Sequence, residues 1–213
     1  MQLKELYDTL FNKFGPQHWW PVQRTGNDTE RFEVMAGAVL TQNTSWKNVE
    51  RALHNLRKGG LLSPEAMLQT DEKTLAGAIR PAGYYNQKAR KLKTLSRALA
   101  RFGREPTREE LLGIWGLGPE TVDSILLYAY GKPYFVIDSY TRRLLNRLGL
   151  TESENIKYDD LQGVFRQQLP ENIAMYKEFH ALIVRLCKEY CKKKPLCRRC
   201  PLARSCGFSK PEP

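Results

Sequence analysis

The sequence lacks any run approaching the roughly 18 apolar residues that a helix needs to cross a bilayer. Its first stretch, Met1 to Phe14, carries Glu5 and Asp8 among its lysines. Neither a membrane span nor a signal or transit peptide is expected, and the expected location is the cytoplasm, in association with the nucleoid. Strand-like alternation is scarce, and only Phe135-Val136-Ile137 suggests it. Cysteine is missing until Cys187, after which Cys191, Cys197, Cys200 and Cys206 follow in quick succession. Disulfides that staple a fold are spread along it, so this clustering excludes a disulfide framework and reads as a metal site. Acidic residues are short as well: 23 Asp and Glu stand against 34 Lys and Arg. The resulting pI of about 9.5 favours a polyanionic partner, nucleic acid before membrane.

What the chain does have is helical periodicity. Leu3, Leu6, Tyr7, Leu10, Phe11 and Phe14 share a helical spacing that ends at Gly15-Pro16. Trp19-Trp20-Pro21 follows as loop, and the two indoles read equally well as core filler or as something more. Phe32 to Leu40, with Ala36, Gly37 and Ala38, suits a buried, closely packed helix. Thr41-Gln42-Asn43-Thr44-Ser45-Trp46 then breaks it, and Thr44 or Ser45 can cap a helix over Trp46 to Arg57. Pro81-Ala82-Gly83-Tyr84-Tyr85-Asn86 turns into a long basic helix, Gln87 to Phe102. Most of its charges, Lys88, Arg90, Lys91, Lys93, Arg97 and Arg101, read as a solvated face. Ser139 to Leu150, Tyr158 to Leu169 and Asn172 to Tyr190 complete an all-α fold class.

The most informative stretch is Leu111 to Asp138. Gly116-Leu117-Gly118 forms a tight turn between two helical patterns, with Leu111, Leu112, Ile114 and Trp115 before it and Val122, Ile125, Leu126 and Ala129 after it. Pro119 suits the first position of the second helix, where its missing N–H would be unpaired anyway, and the glycines permit positive φ. Amides at such a helix start, at the positive end of its dipole, make a phosphate site that needs no side chain. A short apolar run, Tyr134 to Ile137, then delivers one carboxylate, Asp138, which also suits a helix cap.

Near the end of the sequence the spacing Cys191-x5-Cys197-x2-Cys200-x5-Cys206 gathers four soft ligands. Spacing alone leaves zinc and a 4Fe-4S cluster equally open.

With these pieces in view, the chain resembles the endonuclease III superfamily of helix-hairpin-helix DNA glycosylases over essentially its whole length. The resemblance rests on the hairpin GLGPETVDS, the aspartate in VIDSYTRR, the turn GYYNQKA, the TQNTSW loop and the terminal cysteines. It implies a six-helix domain over residues 25–132 that holds the hairpin. A second domain, residues 1–24 with 133–213, is built from both termini and stapled by a 4Fe-4S cluster, with a groove between the two. The expected partner is double-stranded DNA with a damaged base, bound by a monomer that flips the base and cleaves its N-glycosidic bond.

By the same resemblance, Gln42 and Tyr84 occupy the loop positions that insert side chains into the space a flipped nucleotide leaves. Gly116, Gly118, Glu120 and Thr121 form the phosphate-gripping hairpin, and Asp138 matches the catalytic carboxylate. The cluster ligands are Cys191, Cys197, Cys200 and Cys206. The family's usual first spacing is C-x6-C, and Cys187, one turn earlier, is the alternative first ligand. Where the bifunctional branch carries a Schiff-base lysine this chain has Glu120, so no imine can form and a monofunctional enzyme is expected. Trp19, Trp20, Pro21, Trp46 and Glu120 resemble the base pocket of the 3-methyladenine glycosylase branch. Stacked indoles attract the positive charge of an alkylated purine. The rival expectations are a thymine or uracil mismatch glycosylase and a damaged-DNA-binding protein without catalysis.

Overall fold

The computed structural model describes residues 1–18 and 27–209. Among these the chain is helical and has no strand. Phe135, Val136 and Ile137 run extended with all three side chains buried, so the run has no polar face and no second run to pair with. No helix among the described residues is long and apolar enough to cross a membrane. The backbone divides into two compact units, Val22–Lys132 and the combination of Met1–Pro21 with Pro133–Pro213.

The central unit is built around α2 (Asp28–Thr41), in which Phe32 and every residue from Val34 to Leu40 is buried. Asn27 caps it, its side-chain oxygen accepting from the Glu30 amide at 2.8 Å. Helix α3 (Trp46–Lys58) lays Val49, Ala52, Leu53 and Leu56 inward and packs on α2. Ser45 stands at its N-cap position, but its side chain makes no capping bond. The short helices α4 (Pro64–Gln69) and α5 (Glu72–Ala78), capped by Ser63 and Asp71, pack on α6 (Tyr85–Phe102).

Helix α6 departs from the solvated face its charges suggest. Arg90, Arg97 and Arg101 are exposed, but Lys88, Lys91 and Lys93 turn inward. Lys88 is only 2% exposed, and its ammonium donates to the carbonyls of Leu40 at 2.9 Å and Ala82 at 2.8 Å. Lys93 donates to the Thr70 carbonyl. A lysine stem spans apolar surface as well as any aliphatic chain, and its head satisfies carbonyls left near the end of α2, in the turn Arg80–Ala82 and just past α4.

The hairpin pairs α7 (Arg108–Leu112) with α8 (Pro119–Ser124), which runs on into a π-helical turn, Ile125–Ala129, buried throughout. Arg108 spans the two helices with a two-pronged ion pair to Asp123, Nε to Oδ1 at 2.7 Å and Nη2 to Oδ2 at 3.1 Å. Asp123 is fully buried.

The unit made from the two chain ends packs α1 (Leu3–Phe14) on α11 (Ile173–Glu189), with α9 (Ser139–Arg147) also against α11 and α10 (Tyr158–Gln168) against α1. Its core is aromatic. Phe135 stacks on Phe165 at 3.8 Å between ring centroids and meets Tyr176 and Phe179 edge-on.

Arg108→Met strands the Asp123 carboxylate in the hairpin, and urea denaturation should show a loss of about 3–5 kcal/mol. Lys88 gives a second expectation. Burial, with Lys91 nearby, lowers its ammonium from the ordinary 10.5 to about 8. Between these values the unfolded chain holds the extra proton, so stability rises with pH across that window. The midpoint of wild type should climb from pH 8 toward 10.5 relative to Lys88→Met, which has no such group.

Candidate functional site

In the hairpin, Gly116 adopts φ +87°, a conformation that strongly favours glycine. Gly118 does not need that freedom. It is the N-cap of α8 with φ −96° and ψ 172°, ordinary extended backbone, and a Cβ there would meet nothing within 4 Å. Sequence reasoning gave both glycines the same task, whereas the turn uses left-handed φ only at Gly116. Pro119 is the first residue of α8, as its chemistry dictates. Glu120 is exposed on the first turn, and Thr121 is buried. Trp115, which the apolar pattern assigned to the preceding helix, lies beyond the end of α7 and is 57% exposed.

Two loops of the same unit carry the candidate inserting side chains. Gln42 follows α2, and the next residue, Asn43, has φ +53°. Tyr84 precedes α6, itself has φ +45°, and is 67% exposed. Left-handed backbone is costly for a tyrosine and persists only where the surroundings enforce it. Lys88 is part of that enforcement, because the carbonyls it holds, Leu40 and Ala82, lie two residues before Gln42 and Tyr84. The sequence gives no local signal of this contact. Trp46, the first residue of α3, is half-buried. Trp19, Trp20 and Pro21 lie outside the described residues.

Asp138 belongs to the other unit. It is 9% exposed and caps α9: Oδ1 accepts from the Thr141 amide at 2.7 Å and from the Thr141 hydroxyl at 2.9 Å. Its other oxygen, Oδ2, lies 3.5 Å from Nε2 of His180 on α11, a buried histidine set edge-on to Phe135 that sequence reasoning passed over. Burial pushes the Asp138 carboxyl up, but hydrogen bonding and charge from His180, together with Thr141, outweigh it. The group therefore sits below its ordinary value and is ionised at neutral pH.

At the far end of α9, Arg147 holds both ends of the cysteine segment. Its guanidinium donates to the carbonyls of Lys192 at 2.7 Å and Lys193 at 3.2 Å and to Cys191 Sγ at 3.3 Å, and it covers the Phe208 ring. Its own carbonyl accepts from Cys206 Sγ at 3.3 Å and the Phe208 amide at 3.1 Å. Cys191, Cys197, Cys200 and Cys206 all line one small cavity, of about 20 Å³, with Leu144, Leu148 and Leu202 among its walls. Cys187 is not in that lining, and its thiol points to the Tyr140 carbonyl at 3.6 Å. The Cys187 hydrogen bond and the Arg147 guanidinium hold the Cys191 thiol below its ordinary range. Among the described residues no three His, Cys, Asp or Glu side chains already converge as a metal-ion site, so the expected ligands share a cavity without forming a ready-made coordination sphere. Lys192, Lys193, Lys194, Arg198 and Arg199 are all exposed around it.

A helix-hairpin-helix in one unit, and in the other a buried ionised aspartate opening a helix, define the class. The chain belongs to the HhH-GPD superfamily of base excision DNA repair proteins, whose family model matches residues 36–170. A candidate DNA repair glycosylase of Methanocaldococcus jannaschii is 45% identical over 204 residues, 90% of each chain. The 3-methyladenine DNA glycosylase of H. pylori, solved bound to 1,N6-ethenoadenine, superposes with a TM-score of 0.75 at 31% identity, covering 87% of this chain and 97% of that one. An endonuclease III–DNA complex superposes with a TM-score of 0.83 at 22% identity over 98% and 97% of the two chains, a likeness of fold alone.

The depressed carboxyl of Asp138 stabilises the fold fully above its unfolded value near pH 4, and that contribution is lost as pH falls through the folded value. Asparagine caps a helix about as well as aspartate but does not titrate. The stability difference between wild type and Asp138→Asn should therefore shrink toward acid, read from urea midpoints between pH 7 and pH 3.

Proposed function

We propose that this DNA repair glycosylase is monofunctional and removes alkylated purines, 3-methyladenine among them, from double-stranded DNA. The observation that carries the reading is Glu120, exposed on the first turn of α8 where a strand-cleaving relative would need an amine. A carboxylate cannot attack the sugar to form an imine. Two amines of the same unit are otherwise engaged: Lys91 donates to Gln42 Oε1 at 2.6 Å and Lys132 pairs with Glu105 at 3.0 Å.

The chemistry divides between the units. The turn at Gly116 and Gly118, with the α8 amides of Glu120 and Thr121, grips the backbone, and Gln42 and Tyr84 fill the space of the flipped nucleotide. Asp138, ionised and desolvated, stabilises the oxocarbenium-like sugar and orients water on the face away from the departing base. An alkylated purine is cationic, hence already a good leaving group, and needs no general acid. The half-buried Trp46 would attract such a cation by about 0.5–2 kcal/mol, with the exposed Glu120 adding attraction. The likeness to a 3-methyladenine glycosylase above 30% identity supports the same substrate class.

Cys191, Cys197, Cys200 and Cys206 would hold a 4Fe-4S cluster. All four line one cavity, and the endonuclease III likeness favours a 4Fe-4S cluster over zinc as the group they would hold. When bound, such a cluster supplies a structural cross-link that orders the surrounding basic loop. Cys187, which does not line that cavity, is then a buried apolar residue.

The test is release of free base from duplexes carrying 3-methyladenine, 7-methylguanine, uracil or thymine opposite guanine. Turnover of the methylated purines is expected, with no adduct trapped by borohydride. Asp138→Asn should keep DNA affinity while base release drops by roughly 10²–10³-fold. Turnover confined to the mismatched pyrimidines would make it a mismatch glycosylase. A trapped adduct would overturn the monofunctional reading, and lesion binding with no release from any duplex would leave a binding protein.

A further inference from the structure

The amide of Gln42 can point only one way. Lys91 has no acceptor, so its ammonium, 2.6 Å away, must face Oε1. Nε2 then donates to the Gly116 carbonyl at 3.2 Å and to the Thr121 hydroxyl at 2.9 Å. The lysine stem lies across the turn so closely that a Cβ at Gly116 would come within 2.7–2.9 Å of its Cγ, Cδ and Cε. Gly116 is thus required twice, by its φ of +87° and by the side chain on top of it. Gln42 after α2, Lys91 on α6, and Gly116 with Thr121 in the hairpin come from three segments of one unit and form a single hydrogen-bonded knot.

We infer that Lys91 is a positioning residue for base excision, acting through Gln42. This rests on the reading of the chain as a base-flipping glycosylase in which Gln42 is an inserting side chain. A free glutamine samples many rotamers, and fixing one at the moment of insertion costs side-chain entropy. Here Lys91 and the hairpin have already fixed it, at a set height above the turn, before DNA arrives. The ammonium is committed to an amide oxygen within the protein, which distinguishes Lys91 from the exposed Arg90, Arg97 and Arg101 of the same helix. Its stem also fills the space above Gly116, so the turn and the inserting residue are set by one side chain.

The experiment uses the intact protein with Lys91→Met, Lys91→Gln, Gln42→Ala and the Lys91→Met/Gln42→Ala pair. Three quantities are read on one lesion-bearing duplex: single-turnover base release, fluorescence of a 2-aminopurine beside the lesion as a report of extrusion, and the slope of log Kd against log salt. Lys91→Met should slow release and extrusion about tenfold and leave the salt slope unchanged. In the Gln42→Ala background the same change should have no further effect. Lys91→Gln, which keeps an N–H donor without the charge, should recover most of the rate. A salt slope smaller by about 0.9 would make Lys91 a phosphate contact instead. A loss of equal size in the Gln42→Ala background, an unchanged rate in Lys91→Met, or no recovery in Lys91→Gln would each overturn the inference. Wild-type extrusion that depends on Gln42 but releases no base overturns the excision reading alone, whereas absence of both overturns both.

Discussion

The carboxylate proposed to act on a sugar cation, Asp138, has to be charged and shielded from water, and these demands oppose each other. Asp138 meets both by opening a helix. One oxygen is occupied by the Thr141 amide and hydroxyl, which are fixed donors, and the other faces His180. The desolvation that would otherwise protonate the acid is thereby offset by hydrogen bonds it makes as part of the fold. The same helix, α9, ends nine residues later at Arg147, roughly 13 Å along its axis. That residue fastens both the beginning and the end of the cysteine segment through its side chain and its carbonyl. Helix α11 is the backing, with His180 near its middle and Cys187 near its end, both buried. Ordering of the cysteine segment and the setting of the aspartate are therefore two ends of one rigid element.

In the other unit the corresponding role falls to α6. Its lysines are unlike in function although alike in sequence. Lys88 ties together the backbone ahead of Gln42 and Tyr84, Lys93 satisfies the carbonyl where α4 ends, and Lys91 meets Gln42 itself. A helix placed behind two loops can hold both at once only with side chains long enough to reach their carbonyls. Lysine has that reach, and its aliphatic stem crosses the apolar layer at little penalty. The lowered pKa of Lys88 is the sign that its ammonium is held there against its preference for water.

Much of this was legible in the sequence where the cause is local. Asp138 caps the helix that follows it, Pro119 starts α8, and the apolar run of α2 is buried from Val34 to Leu40. The readings that changed depend on contacts remote in sequence. A lysine on an amphipathic helix looks solvated until its partner is known, and one partner of Lys88, Leu40, and the partner of Lys91, Gln42, lie 48 and 49 residues away. Trp115 carries an apolar pattern past the point where the amide of Gly113 closes α7 onto Glu109, and so it ends in the turn, exposed. Gly118 was misread for the opposite reason, since composition marks a glycine but not its φ. His180 could have been flagged, because a histidine inside the most apolar helix of the unit needs a polar partner.

The two glycines of the hairpin finally separate two kinds of constraint. At Gly118 the absence of a side chain leaves open space in the protein, with no neighbour within 4 Å of a Cβ, so whatever limits that position lies outside the chain. At Gly116 the limit is internal, because Lys91 already fills the space and the backbone is left-handed. A turn whose outer glycine is unhindered and whose inner glycine is packed presents its backbone outward from a fixed base. That arrangement suits the phosphate grip proposed for the hairpin, and it makes α6 as much a part of the hairpin as α7 and α8.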